Sequence, residues 1–428
     1  MNTGDYVLLK LVDGEVQGLI MQSKNPDIIS IKLDSGYNMG ISKNKIKDAK
    51  ILRKVGEVSE KVTKEKIEIK IDYKKPTVLF LHTGGTIASK VDYRTGAVSS
   101  GFTPEDMIKM FPELDDLVNI KTKLVFQMFS EDMEPEHWIK LAQECIDAKE
   151  DKIIIAHGTD TMHYSASAIS FLLGNKKSIV FVGAQRSSDR PSSDAFTNLV
   201  DAVRFLLTEE KGVYCCMHKD SSDSGSIILL GTKMRKMHTS RRDAFLSINR
   251  NPVAIVEQGK VKFIEKQNYV QSDFKIKINR NVAILKSHPG ISVDALEFFL
   301  KKFDGMILEG TGLGHIPATV LDDVTKHHSK FLELIKKSVK PIFMTSQCIN
   351  GRVNMDIYST GIDLQEVGVV PLEDMTSECA LAKLMIALGN EKDKKKIVEI
   401  MKTNFSGEIT ERSLPESYDE VKKKSKEK

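Results

Sequence analysis

The chain has 428 residues, of which 41% are hydrophobic and 29% charged, with a net charge of +4. That balance suits a globular protein of about three domains with a sizeable core, and it excludes a disordered chain or a disulfide-stapled miniature. The charge is too small to force a nucleic-acid reading, and no apolar run nears the roughly 18 residues a membrane span needs.

Cysteine usage agrees with this picture. The five cysteines, Cys145, Cys215, Cys216, Cys348 and Cys379, are odd in number and show no C-x-x-C spacing, which favours a reduced interior over a disulfide framework. Met1–Asp5 carries no basic-then-apolar signal. The expectation is a cytoplasmic protein with no membrane contact.

Residues 1–52 read as a small β-barrel domain. Tyr6–Leu11, Val16–Met21 and Ile28–Leu33 are short strand-like runs parted by turn residues such as Asp13-Gly14 and Asn25-Pro26-Asp27, with Tyr37–Ile41 a candidate fourth strand. A docking module is the default reading of such an appendage. Residues 53–76 form a Lys- and Glu-rich linker.

Residues 77–262 alternate between strand and helix patterns. Val78–Leu81 and Ile153–Ala156 are continuous apolar runs, as is Ile179–Val182. After Pro135, the residues Trp138, Leu141, Ala142, Cys145 and Ile146 fall on one helical face; after Pro191, Phe196, Leu199, Val200, Val203 and Leu207 do the same. A further helix starts near Thr161. Apolar strands alternating with helices predict a parallel sheet covered on both faces. Residues 263–279 connect this domain to a second α/β domain at 280–410. The predicted strands there are Val282–Leu285, Gly305–Leu308 and Pro341–Met344, with helices at 292–303, 329–338 and 378–389. Residues 411–428 form a charged tail. The predicted fold class is therefore α/β, two domains with parallel sheets behind a small β-barrel.

Two apolar strands each run into a threonine-bearing turn: Thr83-Gly84-Gly85-Thr86 and His157-Gly158-Thr159-Asp160-Thr161. Ligands of parallel sheets bind beyond the carboxyl ends of the strands. A threonine hydroxyl becomes a nucleophile when a neighbour takes its proton, and glycines leave room for substrate beside it. Asp160 could orient a lysine or grip an ammonium group, and Thr161 could cap a helix whose positive end faces the site. The blander alternatives are a phosphate-binding turn for the first string and a simple helix cap for Asp160. Lys233 and Lys236 share one basic run, and composition alone does not choose between them as a base. There is no G-x-x-x-x-G-K-[ST] string, Gly310–Gly314 lacks dinucleotide-binding spacing, and the ten histidines show no metal-ligand spacing.

The strings T-G-G-T-I-A at 83–88 and H-G-T-D-T-M at 157–162 resemble the two signature motifs of bacterial-type L-asparaginases. Tyr93, Ser130-Glu131-Asp132-Met133, Gly183-Ala184-Gln185-Arg186, Ser346-Gln347-Cys348 and Asp374-Met375-Thr376 match in order. In that family the catalytic lysine lies nine residues before a phenylalanine, and Phe245 is nine after Lys236. The resemblance implies an L-asparaginase-like fold over about 77–410 with catalytic Thr83, Thr159, Asp160 and Lys236. Thr83 would attack a side-chain amide, while Asp160 positions Lys236 and Lys236 acts through Thr159. Tyr93, Ser130, Glu131 and Gly158 would bind substrate, with Tyr93 helping to move the Thr83 proton. Glu131 stands where plain asparaginases often carry a neutral residue, which bears on side-chain length preference.

The 76 residues ahead of the first core strand, with Met-His-Thr-Ser-Arg-Arg-Asp-Ala-Phe at 237–245, resemble the archaeal D subunits of glutamyl-tRNA(Gln) amidotransferase. That resemblance implies a glutaminase that supplies ammonia to a larger E subunit, which binds Glu-tRNA(Gln) and uses ATP and Mg. It implies no cofactor in this chain, and it implies self-association as a homodimer. A free cytosolic L-asparaginase with an extra N-terminal domain is the alternative, and a non-catalytic ligand-binding scaffold is the third reading.

Overall fold

The computed structural model describes residues 2–54 except 13, 22, 24 and 33–37. It then describes 72–84, 89–91, 98–100, 107–108, 111, 113–186 and 193–413 except 269 and 271. Tyr93 and most of the linker and tail lie outside the described residues.

Near the N-terminus five strands form an antiparallel sheet in the order Asn38–Ser42, Ile28–Lys32, Gly14–Met21, Tyr6–Leu11, Ile46–Arg53. The sequence pattern missed the last of these strands because charged residues interrupt its apolar positions. Val7, Leu9, Ile20, Ile31 and Ile41 make the core of this unit. Among the described residues no pairing joins the two edge strands, so the predicted barrel is an open sheet here.

The main sheet runs, from one edge, Asn119–Leu124, Thr77–His82, Lys152–Ala156, Ser178–Val182, Gly212–His218, Ser226–Leu230, Ala254–Glu257 and Lys260–Phe263. The first five are mutually parallel; from Gly212–His218 onward the pairing is antiparallel. Alternate side chains enter opposite layers. Leu79, Leu81, Ile153, Ile155, Ile179 and Phe181 pack on one side. Val78, Phe80, Ile154, Val180 and Val182 pack on the other, against the helix Ala195–Leu206. Both layers exclude water, which is why these strands read as unbroken apolar runs.

The helix Met162–Leu173 is buried on nearly all sides. Its serines would be costly there without partners; Ser167 and Ser170 donate back to the carbonyls of His163 and Ala166 at 2.8 and 2.7 Å. It packs on the helix Ser377–Asn390, which covers a second, fully parallel sheet in the order Val282–Lys286, Gly305–Gly310, Ile342–Ser346, Val369–Pro371. One continuous apolar cluster thus joins the two α/β layers, and residues 374–378 are brought against Lys233 and Arg235.

Candidate active site

Thr83 follows directly on the strand Thr77–His82. Its backbone N–H and its Oγ1 both donate to the Ala156 carbonyl on the neighbouring strand, each at 3.0 Å, and the residue is 1% exposed. A carbonyl can hold the hydroxyl proton but cannot remove it, so nucleophilic attack from here needs a base. Gly84 is required by geometry. Its φ is +109°, and a Cβ there would stand 2.2 Å from the Met128 carbonyl oxygen. Gly85 lies outside the described residues.

The second turn leaves the adjacent strand at His157. The Gly158 carbonyl can only accept, so the His157 Nδ1 2.6 Å away carries the proton; Nε2 then accepts from the Ser165 hydroxyl at 2.9 Å. Burial drops the His157 pKa to about 4 and that of the nearby His163 to about 3. Both rings are therefore neutral and poor bases near pH 7. Ser130 is buried against this turn, where a Cβ on Gly158 would come within 2.9 Å of the Ser130 Cβ. Thr161 stands at the helix N-cap position, but its hydroxyl does not cap the helix; it donates to the Ser130 carbonyl at 2.6 Å. The predicted cap contact is replaced by a strap that binds the two segments. Glu131 is exposed in the short turn Ser130–Asp132.

Lys236 enters from a hairpin, Met234–Lys236 paired with Phe245–Ser247. Its Nζ donates to Thr159 Oγ1 and to Asp160 Oδ1, both at 2.8 Å. Lys236 and Phe245 are direct cross-strand partners, which is the physical meaning of their nine-residue spacing. Lys233 goes elsewhere: it is fully buried and donates to the Asp374 carboxylate at 2.7 Å and carbonyl at 3.0 Å. Thr159, Asp160 and Lys236 are thus brought together, beside Ser130 and Gly158 and one strand away from Thr83.

Comparison with known proteins matches this architecture in three parts. The family model described as "Asparaginase, N-terminal" matches residues 77–269, "Glutaminase/Asparaginase C-terminal domain" matches 281–401, and "GatD N-terminal domain" matches 1–52. The D subunit of glutamyl-tRNA(Gln) amidotransferase from Pyrococcus furiosus is 42% identical, covering 98% of this chain and 97% of the relative. The D subunit from Methanococcus maripaludis is 44% identical over 96% of this chain and 99% of its own. The chain belongs to the D-subunit family of glutamyl-tRNA(Gln) amidotransferases. Among solved structures, the thermostable L-asparaginase from Thermococcus kodakarensis superposes with a TM-score of 0.70 at 32% identity, covering 78% of this chain and 99% of that one. The probable cytoplasmic L-asparaginase from Campylobacter jejuni gives 0.64 at 27%, covering 77% and 100%. The fold is therefore asparaginase-like α/β with an added N-terminal β unit.

Sequence reasoning assigned no role to His157, His163, Ser165 or Trp138, whose Nε1 donates to Ser165 Oγ at 3.0 Å. For the histidines and Ser165 the signal available was their position close to the G-T-D-T string, whereas Trp138 was read only as part of the apolar helix face. It also missed Arg235, which pairs with Glu378. Among the described residues no group of three His, Cys, Asp or Glu side chains could hold a metal ion. No helix there is long and apolar enough to cross a membrane.

Proposed function

We propose that this chain is the glutaminase component of a tRNA-dependent amidotransferase, as the names of its D-subunit relatives imply. Thr83 Oγ1 bonds to the side-chain amide carbon of glutamine, and asparagine is a second candidate donor. The hydroxyl proton passes through Thr159 to Lys236, which Asp160 holds in place, and is returned to the amide nitrogen as the C–N bond breaks and ammonia leaves. Water then adds to the acyl-enzyme, releases the acid and restores the Thr83 hydroxyl. Ser130, Glu131 and Gly158, with Asp160, receive the amino-acid end of the substrate, and Tyr93 helps to move the Thr83 proton. A separate E subunit, carrying ATP and Mg, uses the ammonia to convert Glu-tRNA(Gln) to Gln-tRNA(Gln). This chain itself needs no cofactor, works in the cytoplasm and self-associates as a homodimer, with its N-terminal β unit docking the partner or the tRNA.

The observation that carries this reading is the placement of Lys236 Nζ 2.8 Å from both Thr159 Oγ1 and Asp160 Oδ1, at the strand end next to Thr83. The test measures ammonia release from glutamine and asparagine, with and without the E subunit, ATP and Glu-tRNA(Gln). Glutamine-derived ammonia should rise when all are present, and Thr83→Ala should abolish it. Rapid asparagine hydrolysis indifferent to the partner would point to a free asparaginase. Unchanged release by Thr83→Ala would remove the nucleophile.

A further inference from the structure

The strand that delivers Lys236 is fastened on its far side to the C-terminal α/β unit. Side chains alternate along a strand, so Arg235 leaves the Met234–Lys236 segment on the side opposite to Met234 and Lys236, and Lys233 lies in the turn just before it. Lys233 reaches Asp374, and Arg235 forms an ion pair with Glu378. Asn249, just past the paired strand, donates to the Asp374 and Gly351 carbonyls at 3.3 and 3.0 Å and accepts from the Gly351 N–H at 2.7 Å. All these anchors converge on residues 351 and 374–378. Glu378 lies in the first turn of the helix Ser377–Asn390, where the helix dipole favours a carboxylate. That turn is itself rigid: Thr376 caps the helix by accepting from Cys379 N, and Asp374 accepts from Thr410 N and Oγ1.

We propose that the Arg235–Glu378 ion pair is a positioning device, by which the C-terminal unit sets where Lys236 stands relative to Thr159 and Asp160. The inference rests on the role given to Lys236 above. Arg235 and Glu378 act through the backbone of the strand next to the lysine. The Arg235 side chain is 27% exposed, so the pair can be opened with less damage than the fully buried Lys233–Asp374 pair.

The experiment compares Arg235→Gln, Glu378→Gln, the double variant, Arg235→Lys and Lys236→Met in the full chain with the E subunit, reading kcat, KM for glutamine and thermal midpoint. A small displacement of a catalytic group costs up to about a hundredfold in rate. Arg235→Gln and Glu378→Gln are therefore each expected to lower kcat about tenfold or more per folded molecule. KM should be little changed, and the midpoint should fall by less than on opening the fully buried Lys233–Asp374 pair. The double variant should be no worse than either single one, because both remove one interaction. Arg235→Lys, which keeps a cation, should recover part of kcat, and Glu378→Gln carries the test if Arg235→Gln does not fold. A folded Arg235→Gln or Glu378→Gln with parental kcat overturns the proposal, as do independent, multiplying losses in the double variant. Lys236→Met separates the two levels. If it stays active, the proposed function of the lysine fails; if it is inactive while Arg235→Gln is fully active, only the positioning role fails.

Discussion

Lys233 and Lys236 lie three residues apart, carry the same charge and each pair with an aspartate, yet their replacement by methionine should give opposite results. The Lys236 partner, Asp160, has 63% of its side chain exposed. An ion pair this open to water contributes about 0–1 kcal/mol to stability. Lys236→Met should therefore melt within about 4 °C of the parent, at roughly 2–4 °C per kcal/mol. Its glutaminase rate should fall about 10²–10⁴-fold, the usual loss on removing a positioned acid–base group.

Lys233 and Asp374 are both fully buried. Removing the lysine strands a carboxylate away from water, a change that costs about 3–5 kcal/mol. The bonds from Thr410 N and Oγ1 to Asp374 remain, so the lower end applies and the midpoint should drop by about 6–12 °C. Thermal melts followed by circular dichroism, beside ammonia release from glutamine, read both quantities. A stable, active Lys236→Met would refute the proton-transfer role. A Lys233→Met protein as stable as the parent would refute the burial argument that sorts the two lysines.

Two other expectations follow from the same geometry. Gly158→Ala would press a methyl group to 2.9 Å from Ser130 Cβ and 3.0 Å from its Oγ. Overpacking of this kind costs about 1–3 kcal/mol, and displacing Ser130 should raise KM for glutamine about tenfold, equivalent to about 1.4 kcal/mol of binding. An unaltered KM would show that Ser130 does not hold the substrate. The pH profile of stability should also slope. Burial lowers the pKa of His82 and His157 to about 4 and that of His163 to about 3, from 6.5. Below pH 6.5 the unfolded chain binds protons that the folded one refuses, so stability is full above that pH and declines as pH falls towards 4. The slope is up to roughly 1.4 kcal/mol per pH unit for each histidine. Urea midpoints at pH 7 and pH 5 measure it, and equal midpoints would mean these rings protonate without unfolding.

Much of the fold is visible in local pattern. The predicted helix after Pro135 is Pro135–Asp147, with Trp138, Leu141, Ala142 and Cys145 buried, though Ile146 at the end of the stripe is 38% exposed. The predicted parallel strands of both α/β units are present to within a residue or two, because a strand buried on both faces must be apolar throughout. Elements with weaker periodicity escaped. Ser359–Glu366 carries a glycine and has few buried side chains, and Val369–Pro371 is only three residues long.

The primary structure by itself determined the chemical inventory: two threonine turns at strand ends, a carboxylate in one of them, and a lysine nine residues ahead of a phenylalanine. Tertiary structure alone decided how these meet. Thr83 reaches a carbonyl 73 residues away, Lys236 a hydroxyl 77 away, and Lys233 an aspartate 141 away. It also turned the Thr161 hydroxyl from helix cap to strap and made the flanking histidines neutral. Periodicity and turn chemistry act over a few residues, whereas these contacts are set by the order of strands in the sheet and the docking of one helix layer on another.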